Sequence, residues 1–262
     1  MNNNENADRA SVVLVENVKI SLDEYQSIIS VFAKLFESED DVRIAIWKAW
    51  QYLFKYTSLR MGTDTDQLKN ENLIAESALS SELPDTEAFK AMLVKCVFLA
   101  ALDNHSSGSK NGLTGILSSI FKLIQGKGTF FSGMMNFEVE LEKIPAVSWD
   151  GMKDDFCKEV SRLFLRIFSE KQDFVKTGFF KRLSELILSI SFFRWFASAN
   201  AIKRGSHKVE IEDIEFAGRI IEKIYNGEKC IMESFVSGML FSVILHSLTN
   251  RREIIASIVH SI

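Results

Sequence analysis

The sequence predicts an all-α protein, a multi-helix bundle of roughly nine or ten helices with a minor two-stranded β ribbon. Three observations carry that expectation. Two prolines, Pro84 and Pro145, are spread over 262 residues, so long helices can run without losing backbone donors. Apolar residues recur at steps of three and four through most of the chain, the period of one helix face. Serine, threonine and aspartate stand in front of these periodic runs, where their side chains can accept from the free N–H groups of a first turn.

The elements follow in order. Residues 1–10 are polar and are expected to form a disordered tail. Val12–Ile20 is rich in β-branched residues and reads as a short strand. Ser21 and Glu24 make a capping box, and the helix they open carries Leu22, Tyr25, Ile28, Ile29, Phe32, Leu35 and Phe36 on one face. Ser38 and Asp41 repeat the device for a helix to about Leu59 that buries Val42, Ala45, Ile46, Ala49, Trp50 and Leu53. A more polar helix is expected from Asp66 to Leu83, stopped by Pro84. Asp85 or Thr86 caps the next, with Phe89, Met92, Leu93, Cys96, Val97 and Ala100 inward.

His105–Gly115 is rich in serine and glycine and reads as a flexible loop. A short helix then buries Ile116, Leu117, Ile120, Phe121 and Ile124, after which the run QGKGTFFSGMM breaks the pattern. Phe137–Glu142 alternates strictly, as a half-buried strand does, and can pair with Val12–Ile20 into a ribbon; a helical reading also fits it. Trp149 to Phe168 is a helix with Met152, Phe156, Val160, Leu163, Phe164 and Ile167 inward.

Lys181–Tyr225 reads as a helix pair joined by a basic turn. Leu183, Leu186, Ile187, Ile190, Phe193, Phe196 and Ala197 form one apolar stripe, and Gly205 can take the left-handed conformation that ends a helix. Glu212, Asp213 and Glu215 then favour a helix N-terminus, and Ile214, Ala217, Ile220, Ile221 and Ile224 form the buried face up to Asn226-Gly227. Glu228–Leu248 is the most apolar helix of all, and Asn250 with Glu253 caps a last segment to Ile262. The glycine-rich stretch 105–135 is the expected connection between an N-terminal helical half, 11–104, and a C-terminal half, 136–262, within what can be a single domain.

The pair at 181–225 resembles the small helical lid of ring-forming ATPase modules, including the replicative MCM helicases. In those lids a leucine-rich helix with small residues precedes a short turn and a V-x-x-E-D-I/V-x-x-A helix. Leu183, Leu186, Ala197, Ala201, Val209, Glu212, Asp213, Ile214 and Ala217 match that pattern. No G-x-x-x-x-G-K-[ST] phosphate loop and no acidic metal-binding strand end accompany it, so the resemblance implies a lid-like helix pair and not an ATPase.

The chemistry is mostly exclusion. A net charge of −4 disfavours a general polyanion binder. Cys96, Cys157 and Cys230 lie far apart in apolar helical patterns and suggest neither a disulfide framework nor a zinc site. With no signal-peptide layout at the start, a cytoplasmic, reducing setting is expected. His105, His207, His246 and His260 show no metal-ligand spacing. Gly108–Gly112 lacks the central serine of a nucleophile elbow, and Lys110 is followed by asparagine rather than the serine or threonine of a phosphate loop. Asp40-Asp41 and Asp154-Asp155 resemble magnesium-binding pairs, but a second acidic motif is missing and acids in a first turn already suit the helix dipole.

No catalytic, cofactor-binding or metal-ligating residues are therefore assigned, and no cofactor is expected. Two surfaces stand out. Lys203, Arg204, His207 and Lys208, joined by Arg251 and Arg252 if the last helix folds back, make a candidate interaction patch. Ser237, Gly238 and Ser242 lie at close-packing positions of an uncharged run too short to span a bilayer, a candidate helix-packing interface. The leading expectation is a non-catalytic scaffold or adaptor that works through protein–protein contacts, as an oligomer or complex subunit. The alternatives are a nucleic-acid-associated subunit using the basic turn, and a helical enzyme with an apolar pocket and a magnesium-binding Asp154/Asp155 pair. No transmembrane segment is expected; peripheral membrane contact is a further option.

Overall fold

The computed structural model describes residues 11–15, 18–62, 76–78, 80–84, 92–100, 113–169, 178–226 and 252–262. The fold is all-α with two small antiparallel ribbons. Two compact units divide the chain: Met1–Asp85 with Ser161–Ile187, and Thr86–Val160 with Leu188–Ile262.

In the first unit, strands β1 (Ser11–Val15) and β2 (Val18–Ser21) pair with each other, Val12 opposite Ile20. Helix α1 (Leu22–Ser38) starts on the predicted capping box: the Ser21 hydroxyl accepts from the Glu24 N–H at 3.2 Å, and the Glu24 carboxylate accepts from the Ser21 N–H at 2.8 Å. Helix α2 (Val42–Met61) is capped by Asp41 and ends on Gly62 in the left-handed region. All six of its predicted inward residues are buried, and so are Trp47, Tyr52 and Tyr56.

Helix α2 is covered on several sides. Its Trp47 indole donates to the carbonyl of Glu82 at 2.9 Å, Lys55 donates to the carbonyl of Ser77 at 2.9 Å, and the Trp50 indole reaches the Ser184 hydroxyl at 3.4 Å. Phe32 of α1 sits at the centre of an aromatic cluster. Its ring makes edge contacts with Tyr52, Phe164 and Phe168 at 6.5, 5.8 and 6.1 Å and lies 6.0 Å from Phe179. Such edge-to-face pairs add to the burial of the rings themselves.

In the second unit, residues 92–100 form helix α3 and Leu113–Gln125 form α4. Strands β3 (Thr129–Ser132) and β4 (Phe137–Glu140) pair around a four-residue turn, with buried Phe130 opposite buried Val139. A 3-10 helix, Leu141–Ala146, follows. Helix α5 spans Lys153–Ser169 and α6 spans Phe179–Ile190; each contributes residues to both units. Helices α7 (Phe193–Lys203) and α8 (Ile211–Asn226) pack together, and α9 (Arg252–His260) is the last described helix.

Several expectations need correction. The segments 12–20 and 137–142 do not pair with each other: the first folds on itself as β1–β2, and the second meets β3. Connections of two and four residues close a hairpin at far lower entropic cost than a long loop. The single long helix expected between Leu183 and Ala201 is two, α6 and α7. At the break Ser191 and Phe192 donate their N–H groups three residues back, to Leu188 and Ser189, and the Ser191 hydroxyl also bonds the Leu188 carbonyl at 2.7 Å. Serine back-bonding and a tightened turn replace the α-helical ladder there. All seven stripe residues from Leu183 to Ala197 are nevertheless buried.

Four expected core residues lie in solvent: Leu22, Leu93, Leu117 and Phe121. The expectations for residues 1–10, for most of Asp66–Leu83, for Asp85, Thr86, Phe89 and the 105–112 loop, and for the helix Glu228–Leu248 lie outside the described residues. So do Asn250 and the side chain of Ile116.

Candidate functional site

The basic turn is built from the end of α7. Gly205 has φ of +74°. Its N–H bonds the Ile202 carbonyl, and that of Ser206 bonds the Ala201 carbonyl, both at 2.9 Å, closing the helix as predicted. The chain then runs beside Ser148: the Ser148 N–H donates to the His207 carbonyl at 2.8 Å, and the Val209 N–H donates to the Ser148 carbonyl at 2.9 Å.

The charges of this turn face different partners. The Arg204 guanidinium donates through Nε and Nη2 to Asp213 at 3.0 and 2.6 Å and through Nη1 to Glu210 at 2.9 Å. Asp213 is fully buried and also accepts from the Asn200 amide at 2.8 Å and the Glu210 N–H at 3.0 Å. Burial opposes its ionisation, but the Arg204 guanidinium, the Glu210 N–H and the Asn200 amide outweigh it and hold the carboxyl below its ordinary range. Asp213 thus latches the turn onto the first turn of α8, a role its place in the sequence signals only as a favourable helix start. The Lys203 ammonium lies 4.5 Å from the Phe137 ring centroid. His207 and Lys208 are exposed, and exposed Arg252 opens α9. Arg251, Ser237, Gly238 and Ser242 lie outside the described residues.

A second site was not foreseen. Met92, Lys95, Cys96 and Leu99 occupy one face of α3, at the spacing of adjacent helix turns. They line a cleft of about 220 Å³ closed by Leu123 of α4, Phe192, Trp195 of α7 and Ser261. Lys95 is the cationic member. Its Nζ donates to the Ser261 hydroxyl at 3.3 Å and the Ser261 carbonyl at 3.4 Å and lies 5.5 Å from the Phe192 ring centroid. Burial pushes this ammonium down to about 8, with Arg194 acting in the same sense and Cys96 against it. Burial pushes the neighbouring Cys96 thiol up. The signal in the sequence is a lysine at a core-facing position, three residues after Met92 and four before Leu99.

A third feature is the outer face of α4. Its inner face, Ile120 with Leu123 and Ile124, packs on Cys96, Ala100, Met92 and Val97. Leu117 and Phe121, one turn apart on the other side, are 48% and 62% exposed. Asp154 and Asp155 lie in the first turn of α5. Among the described residues no group of three or more His, Cys, Asp or Glu is placed to hold a metal ion, and no helix is long and apolar enough to cross a membrane. Comparison with protein-family models, with curated proteins and with solved structures gives no match.

Proposed function

We propose that this protein is a non-catalytic helical scaffold of the cytoplasm that works through protein–protein contacts, self-associating through the outer face of α4. The observation that carries the reading is the exposure of Leu117 and Phe121 on a helix whose opposite face is already in the core. Large apolar side chains adjacent on a surface mark places where a partner removes them from water. A second copy presents the same two residues, so a two-fold arrangement makes the contact self-complementary. The arginine of the basic turn supports the reading from the other side, since Arg204 is engaged by Asp213 and Glu210 within the fold.

Light scattering on the size-exclusion peak tests it. The wild type should run as a dimer or larger assembly at concentrations where Leu117→Ser with Phe121→Ser runs as a monomer of unchanged circular dichroism. A wild type that stays monomeric throughout sinks the reading. A raised 260/280 nm absorbance ratio that falls on nuclease treatment would put the nucleic-acid alternative in its place.

A further inference from the structure

The Lys95 cleft holds a half-buried ammonium that has no counter-charge among the described residues. Its polar partners are a serine hydroxyl and a backbone carbonyl, both neutral and both at 3.3 Å or more. Among the described residues no Asp or Glu lies within ion-pair distance of it. A cation in such surroundings is stable only when an anion or strong hydrogen bonds replace the lost water. The remaining walls are apolar or aromatic: Met92, Leu99, Leu123, Phe192 and Trp195. The indoles of Trp47, Trp50 and Trp149 each donate to a protein oxygen. Among the described residues the Trp195 indole has no such acceptor.

Size narrows the occupant. A cavity of roughly 150 Å³ holds benzene, so about 220 Å³ takes one ring or a chain of about eight carbons with a single polar head, and is too small for a nucleotide. The apolar walls disfavour a strongly hydrated inorganic anion, whose lost water they cannot replace. We propose that the cleft binds a small apolar monocarboxylate, with the carboxylate on the Lys95 ammonium and the hydrocarbon body against Leu99, Leu123 and Trp195.

Protonation gives the site a second signature. The titratable groups near Lys95 are Arg194 of α7 and the Cys96 thiol on its own helix. From α4 the lining residue is Leu123 and beyond α9 it is Ser261, neither of which titrates near neutrality, while His260 is exposed. Carboxylate affinity should therefore be flat between about pH 6 and pH 8, where the ligand is ionised, and fall by up to about ten-fold per pH unit above it until the acid preference is lost, as the free-state amine loses its proton.

The test is titration calorimetry with octanoate and phenylacetate against their uncharged amides, octanamide and 2-phenylacetamide. At pH 7 the wild type should prefer each acid over its amide by about ten- to hundred-fold, the worth of one charge-assisted hydrogen bond. Lys95→Met should abolish the preference and keep the amide affinity, and Lys95→Arg should retain it; circular dichroism confirms that each variant is folded. Equal affinity for acid and amide in the wild type, no saturable binding of either acid, or an unchanged preference in Lys95→Met would each overturn the proposal. The pH profile uses only the wild type, so it decides the matter even if a variant fails to fold.

Discussion

Replacing Lys95 by methionine should change stability with a sign that depends on pH. Methionine keeps the length and apolar stem of the side chain and removes the charge. In the folded protein Lys95 releases its proton at about 8 instead of the usual 10.5. That difference corresponds to about 3 kcal/mol opposing folding while the amine is charged, or about 2 kcal/mol once partial solvent contact is allowed for. Because the folded value lies below the unfolded one, the penalty is complete below about pH 8. It shrinks as pH rises, and it is gone above the unfolded value of 10.5. Against it stand the two bonds to Ser261, together worth about 1 kcal/mol at their long distances. Lys95→Met should thus be more stable than wild type by about 1 kcal/mol at pH 7 and less stable by about 1 kcal/mol near pH 10.5. Urea unfolding of both proteins by circular dichroism at pH 7, 8.5 and 10 measures this. Taking the difference cancels other groups that titrate in the same range, such as Tyr25, whose phenol burial pushes up. A stability difference that does not move with pH would show that Lys95 keeps its ordinary proton affinity, and the reasoning would fall.

Four further outcomes follow from other parts of the molecule. Arg204→Ala leaves the buried Asp213 carboxylate without its guanidinium and should cost about 3 kcal/mol in urea unfolding. Asp213→Asn should flatten the acid limb of the stability curve: the carboxyl sits below its usual 3.8, so its contribution is present above that pH and lost below it. Gly205→Ala meets no neighbouring atom within 4 Å but must hold φ of +74°, so thermal unfolding should register a loss of about 1 kcal/mol from backbone strain alone. Among the described residues the buried Thr57 hydroxyl has no hydrogen-bond partner, so Thr57→Val should raise stability by about 1 kcal/mol, read as a higher urea midpoint with an unchanged slope.

What the sequence made legible depended on local chemistry. Ser21 with Glu24 and Gly205 are decided by hydrogen bonds within a few residues, and both took the expected geometry. The stripe from Leu183 to Ala197 was legible because every member is apolar and buried. Periodicity says which faces are apolar; it does not say how many will be covered. Hence Trp47 and Tyr52 of α2 are buried beyond the expected stripe, while Leu117 and Phe121 of α4 are exposed. Strand β3 was hidden because Thr129–Ser132 is four residues long and flanked by glycines that read as a loop. Lys95 was hidden for a different reason: a charged side chain on an apolar stripe is usually assigned to solvent, and only the meeting of α3 with Phe192 and Ser261 encloses it.

The make-up of the first unit bears on how the chain is synthesised. Phe32 and Trp50 emerge from the ribosome long before Phe164, Phe168, Phe179 and Phe180, four of the rings that pack against them. At a translation rate of about 5–20 residues per second, the wait for those roughly hundred residues is about 5–20 s. Through that interval α1 and α2 can pair with each other and with residues up to 84, but the faces that Phe164, Phe168, Phe179 and Phe180 cover stay open. Translational pausing between residues 62 and 161 should then increase aggregation of the nascent chain more than pausing after residue 187.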